Sequence, residues 1–311
     1  MMFRSRVRSR ARPVRNRRSG YTLIELLIAI VISGIIVGAL FQALLGQGRF
    51  ARYIGAREEV QQNARVAVEM ISSELRGVLP GGIVEAGEHR VRIRVPRAWG
   101  ILCTSIPRGP GAQVAWVRFP GGMLPAADFD TDRGWGVAVA QTPDPMVEPG
   151  GDEWRMVSGL AASTAPNGCN ATLGLAVNVE EYGFSAVGLV PQDSPADVVV
   201  PGSMVALYED VIYDTAEVDA GESWVRRTVA YNPSGVPDLR PMAGPIPHGE
   251  SLVFRYFDAA NNQIAPSSLV TQAARDGIAS IRVSLATRST AKFAGQPQVD
   301  SASTRIVFRN R

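Results

Sequence analysis

From Leu26 to Gly48 the chain carries no formal charge, and Leu, Ile, Val and Ala dominate. A run of that length meets the requirement of about 20 apolar residues for a helix that crosses a bilayer. The alternative is a buried core helix. The pattern then becomes amphipathic. Phe50, Tyr53, Ile54, Val60, Ala64, Ala67, Val68, Ile71, Leu75 and Val78 recur mostly at three- and four-residue steps. Arg49, Arg52, Glu58, Glu59, Arg65, Glu69 and Arg76 fall largely between them. This predicts a helix with one face to bury, ended by Gly77 and Pro80-Gly81-Gly82. Residues 21–77 would span roughly 85 Å as one helix.

Beyond residue 80 the period changes to two. Arg90 to Val95 alternates charge with β-branched residues. Further strands are expected at 113–119, 135–140, 153–158, 171–178, 204–213, 222–231, 251–257, 278–286 and 303–309. A short helix is expected over 267–275, and loops over 141–152 and 232–249. All five tryptophans and 20 of the 21 prolines lie beyond residue 79. The expected fold is α+β: a long N-terminal transmembrane and amphipathic helix packed on a mostly antiparallel β head. The segments are a basic leader (1–20), a transmembrane and assembly helix (21–47), a packing helix (48–79) and a β-rich extracytoplasmic head (80–311).

Charge sharpens this organisation. Residues 1–20 carry eight arginines and no acid. The remainder holds 24 basic against 29 acidic residues, a net of −5. The high isoelectric point therefore belongs to the leader, and a basic body built for nucleic acid is not indicated. Arginines before an apolar span place the N-terminus in the cytoplasm and the head outside it. The leader arginines read as a topology signal in preference to a nucleic-acid arm.

Glu25 is the most informative single residue. An acid at mid-bilayer costs on the order of 2.5–3.5 kcal/mol on insertion scales, and less near the edge. Either a cation inside the membrane partners it, or it reaches the headgroups. Gly34 and Gly38 form a G-x-x-x-G spacing that permits close helix approach.

Ser19-Gly20-Tyr21-Thr22-Leu23-Ile24-Glu25-Leu26 resembles the processing site of type IV prepilins and type II secretion pseudopilins. The resemblance implies cleavage after Gly20 by a membrane prepilin peptidase and methylation of the new amino terminus on Tyr21. The family's usual first residue is phenylalanine, so Tyr21 departs while keeping the ring. Thr22 and Leu23 match the motif. Glu25 corresponds to the acid that pairs with the amino terminus of an adjacent subunit during assembly. A weaker likeness runs through Gln61–Arg76, 252–258 and 305–311, toward minor pilins of the PilW type and pseudopilins of the GspJ type. The large head favours the PilW type.

The resemblance implies a minor pilin that primes or caps a filament. Its implied partners are prepilin peptidase, other minor and major pilins, and an inner-membrane assembly platform. The chain would cross the inner membrane once, with the head in the periplasm, before entering a pilus or pseudopilus. A GspJ-like pseudopilin of a type II secretion system is the first alternative. A membrane-anchored binding or adhesion module is the second.

Cys103 and Cys169 are the only cysteines. Outside the cytoplasm they can form a disulfide, which would stabilise by roughly 4 kcal/mol in the chain-entropy picture. Two free buried thiols are the alternative. Asp128, Asp130 and Asp132 alternate in a way that suits calcium, but neither glycine at the sixth position nor glutamate at the twelfth follows. A solvated acidic loop is the better reading. His89 and His248 sit in polar loops, and no catalytic motif accompanies them. No cofactor and no enzymatic activity are expected.

Overall fold

A computed structural model of the chain describes residues 21–107, 112–120, 136–141, 153–157, 161–163, 179–187, 202–219, 222–229, 240–247, 249–293 and 295–308. The expected strand at 171–178, the loop at 141–152 apart from Gln141, His248, Gly20, Cys169 and Asp128, Asp130 and Asp132 lie outside these residues. The chain divides into two compact units, Met1–Ile54 and Gly55–Arg311.

Helix α1 runs from Leu23 to Arg76. In the first unit its side chains are exposed apart from half-buried Tyr53, and every large apolar residue from Leu23 to Leu45 is among the exposed. In the second unit it buries Ala56, Val60, Ala64, Ala67, Val68, Ile71, Ser72 and Leu75. These positions repeat at three- and four-residue steps, so they form one stripe. Phe50 and Ile54 were expected on the buried face but are exposed, since burial begins only at Ala56. The helix stops where Gly77 N–H turns back to the Glu74 carbonyl at 3.1 Å. The following turn places Gly81 at φ 77°, a conformation that a side chain disfavours.

The second unit is otherwise β. Its strands are β1 (Ile83–Ala86), β2 (Val91–Pro107), β3 (Ala112–Pro120), β4 (Gly136–Gln141), β5 (Glu153–Val157), β6 (Ala161–Ser163) and β7 (Val179–Val187). They continue as β8 (Met204–Asp219), β9 (Glu222–Val229), β10 (Arg240–Ile246), β11 (Leu252–Phe257), β12 (Gln263–Ile264), β13 (Ser280–Phe293) and β14 (Gln296–Val307). Among the described residues they form two antiparallel sheets. The larger has the order β10-β9-β8-β2-β3-β7-β6, with β1 beside β2 and β4 joining β8 to β5. The smaller has the order β12-β11-β13-β14.

The expectation of a loop over 232–249 is corrected by β10. Arg240-Pro-Met-Ala-Gly-Pro-Ile reads as a loop because two prolines cannot donate ladder hydrogen bonds. β10 lies at the edge of its sheet, where one side needs no donors. The helix expected over 267–275 is two pieces, a 3₁₀ turn at Pro266–Ser268 and α2 at Gln272–Asp276. Thr271 separates them, because its hydroxyl accepts the Ala274 N–H at 3.2 Å and restarts the helix.

One core joins α1 to β1, β2, β8–β11, β13 and β14, and a smaller cluster gathers Ala138, Ala206 and Tyr208. Ile71 and Leu75 of α1 pack with Ile83, Val91, Ile93, Val211, Tyr213, Leu252, Phe254, Tyr256, Ile281, Val283 and Leu285. Polar contacts fix the helix within it. Buried Thr287 donates to the Val60 carbonyl at 2.8 Å, and Gln61 donates to Asp300 at 2.8 Å.

Candidate functional site

Of the residues expected to serve assembly, Thr22, Leu23 and Glu25 lie at the start of α1, and Gly34 and Gly38 lie further along it. Thr22 precedes the first helical residue, Leu23. The first N–H groups of a helix have no carbonyl partner within it. Thr22 Oγ1 accepts the Glu25 backbone N–H at 3.3 Å. In return Glu25 Oε2 accepts the Thr22 backbone N–H at 3.2 Å and the Thr22 hydroxyl at 3.3 Å. This reciprocal arrangement is a capping box. It satisfies donors that would be costly to leave open at the edge of a bilayer. A carboxylate in the first turn also faces the positive end of the helix dipole.

The box supplies a reason for Glu25 that the sequence reading did not weigh. It engages Oε2; no hydrogen bond of Oε1 is seen among the described residues. Glu25 can therefore cap its own helix and still offer an oxygen to a cation. Tyr21 beside it is 89% exposed. Downstream, a Cβ added at Gly34 or Gly38 would meet nothing within 4 Å. That flank is open to the close approach of another helix. The apolar stretch of α1 is long and apolar enough to cross a membrane, and none of it is buried.

A second constellation ties α1 to the larger sheet. Glu74 lies on the buried side of the helix, three residues after Ile71 and one before Leu75. Tyr213 donates its hydroxyl to Glu74 Oε2. Arg97 reaches Glu74 Oε1 at 2.6 Å and Arg227 reaches it at 3.2 Å. The same two arginines hold Glu209 at 2.8 and 2.6 Å. Burial opposes the charge of Glu74, but the Tyr213 hydroxyl, Arg227 and Arg97 outweigh it and hold the carboxyl below its usual range. Burial first, then the Glu74 charge, pushes the Tyr213 hydroxyl far up. Its partners come from positions 97, 209, 213 and 227, so the spacing along the helix does not reveal the clamp.

Arg90, just before β2, and Arg92, within it, meet acids of β8. Arg92 grips Asp210 through two bonds of 2.9 and 2.7 Å. Arg226 of β9 grips Asp214 at 2.6 and 2.7 Å, and Arg90 joins Asp214 at 3.1 Å. Bidentate forks of this kind are the stronger ion pairs.

The remaining candidates separate. Cys103 is 2% exposed and is disulfide-bonded. His89 is half-buried and contacts the Leu252 carbonyl through Nδ1 at 2.8 Å. Trp99 and Trp154 pack edge to face with centroids 5.7 Å apart, and both are half-buried. Among the described residues no cluster of three metal-ligating side chains occurs.

Residues 15–41 match the prokaryotic N-terminal methylation motif. That segment contains the leader arginines nearest the span, the capping box and both glycines. No curated protein and no solved structure matches the chain. The motif and the apolar helix support a membrane-anchored, pilin-like or pseudopilin protein, and the long helix followed by antiparallel sheets is a pilin-like α+β layout.

Proposed function

We propose that the chain is a minor type IV pilin of the PilW type, cleaved after Gly20 and assembled through its N-terminal helix. The observation that carries this reading is the methylation motif on a helix whose apolar half is exposed and whose other half anchors a β body. Prepilin peptidase removes the basic leader and creates an amino group on Tyr21. That cation lies next to the residue that Glu25 already holds. Glu25 Oε1 then receives an amino terminus, and Gly34 and Gly38 admit neighbouring helices. Packing apolar helices against one another replaces their contact with lipid, so association rests on close packing and on this charge pair. The head stays outside the cytoplasm, where Cys103 pairs with Cys169.

The partners of this reading are prepilin peptidase, other minor and major pilins and the inner-membrane assembly platform. A head of this size with many strands suits a low-copy subunit that primes or caps the filament. The same motif and helix serve a GspJ-type pseudopilin, which is the second reading. Deleting the gene separates them. Sheared surface pili and secreted proteins are measured in the same cultures. Loss of pili with intact secretion is expected. Intact pili with lost secretion would move the chain to the secretion class.

A further inference from the structure

The charge of the body is unevenly placed. Residues 21–251 hold 16 basic and 26 acidic residues, a net of −10. Residues 252–311 hold eight basic and three acidic residues, a net of +5. The smaller sheet is built from this last segment, and its pairing concentrates the charge further. Arg255 of β11 lies opposite Arg282 of β13, and Arg282 lies opposite Arg305 of β14. Three arginines thus stand in one row across three adjacent strands. Their neighbours Phe254, Tyr256, Ile281, Val283 and Ile306 are buried on the other face, and all three arginines are exposed. At about 4.8 Å between strands the row is only some 10 Å wide.

Like charges placed directly opposite one another destabilise a sheet. On the larger sheet Arg92 is answered by Asp210, and Arg90 and Arg226 by Asp214. On the smaller sheet no acid among the described residues pairs with Arg255, Arg282 or Arg305. Arg255 and Arg282 make no ion pair or hydrogen bond among the described residues. Arg305 donates to Ser280 Oγ at 2.7 and 3.0 Å and to Asn261 Oδ1, neither of them charged. The nearest acid in sequence, Asp258, accepts from Asn262 instead. Asp300 is engaged by Gln61 of α1, and further along β13 Arg288 meets Glu222 at 3.5 Å.

The row is also pre-ordered. The Arg305 guanidinium lies 4.4 Å and the Arg282 guanidinium 5.5 Å from the Phe257 ring centre. Contacts with the ring, Ser280 and Asn261 fix these forks before any anion arrives, which lowers the entropy lost on binding. Ser284 and Ser303 flank the row on the same face and add hydroxyl donors.

We infer that this face docks a carboxylate-rich segment of a partner polypeptide, laid across β11, β13 and β14 with its acids against Arg255, Arg282 and Arg305. A duplex or a bilayer spreads its negative charge over tens of ångströms and would also meet the acidic remainder of the body. A compact acidic segment meets only the row. It would complete a charge ladder of the kind the larger sheet completes within itself.

The test uses the full chain in uncharged detergent and a fluorescein-labelled peptide, Glu-Ser-Glu-Ser-Glu-Ser, followed by anisotropy. The leader arginines are common to every variant, so the readout is the difference between variants. The double variant Arg255→Gln/Arg282→Gln should weaken binding at least tenfold, with its thermal unfolding unchanged. Lys292→Gln, on the same strand beyond the row, should change it less than twofold. The analogue with Gln for Glu should bind at least tenfold more weakly than the acidic peptide. Undiminished binding by the double variant, equal binding of the Gln peptide or no saturable binding would overturn the inference. So would more effective displacement of the peptide by a 24-base-pair duplex or phosphatidylglycerol vesicles at matched charge.

Discussion

Glu25 carries two duties that a single substitution confuses. Its side chain closes the capping box with Thr22, and its charge is proposed to meet an amino terminus. Gln at the same position keeps an oxygen that can accept the Thr22 N–H. Glu25→Gln should therefore leave the helix start intact while filament incorporation falls severely. Thr22→Ala should do the reverse locally, costing about 1 kcal/mol at the cap. Amide exchange at residues 23–26 would quicken roughly fivefold in Thr22→Ala and stay unchanged in Glu25→Gln. Glu74 acts on a different scale of burial. Its depressed carboxyl means that its contribution is fully present above the ordinary value of 4.5 and is lost as pH falls through the lower folded-state value. Unfolding midpoints measured from pH 7 to pH 3 should fall less steeply in Glu74→Gln than in the parent. Glu74→Ala leaves Tyr213 and two arginines short of an acceptor, and should cost about 2–3 kcal/mol at pH 7.

At the scale of elements, the buried half of α1 is a stripe that the core closes around. Leu75 is fully buried among residues of both sheets, so Leu75→Ala should cost about 2–5 kcal/mol in denaturant unfolding. The stripe from Val60 to Leu75 was legible in the sequence because spacing alone places those residues together. Phe50 and Ile54 share the apolar character but not the burial, and spacing could not reveal where burial begins. Strands with alternating Val and Ile, such as Val91–Val95 and Leu252–Phe257, were legible for the same reason. β10 was not, because its prolines forbid an interior strand and the edge position that admits them is a property of the sheet. The capping box was spelled out as Thr22-x-x-Glu25, yet the cost of a charge in the membrane drew attention away from it. The Glu74 clamp and the arginine row depend on pairing between distant strands, which no local pattern encodes. Gly136 is a further case. A Cβ there would come within 2.0 Å of the Tyr208 ring, so the glycine is required by a neighbour 72 residues away.

At the scale of the molecule, the chain has an exposed apolar helical stretch and a β body whose main core is joined by charged ladders. The first feature needs lipid or other helices around it. The second keeps the body attached to that helix, through Thr287 and Gln61 contacts, the Glu74 clamp and the Leu75 stripe. Under the proposed function, neighbouring helices hold the apolar stretch while the body makes contacts of its own. That is the requirement of a subunit in an assembly, and the acidic-segment docking face would give the head its own contact within one. The account depends first on the helix being released from its leader. The direct measurement is the mass and N-terminal sequence of the protein recovered from the membranes of cells that make it. The account predicts a chain that begins at N-methylated Tyr21, lacks residues 1–20 and retains the whole apolar stretch. A mature chain that keeps the leader, or one cut beyond residue 45 so that the apolar stretch is lost, would contradict it.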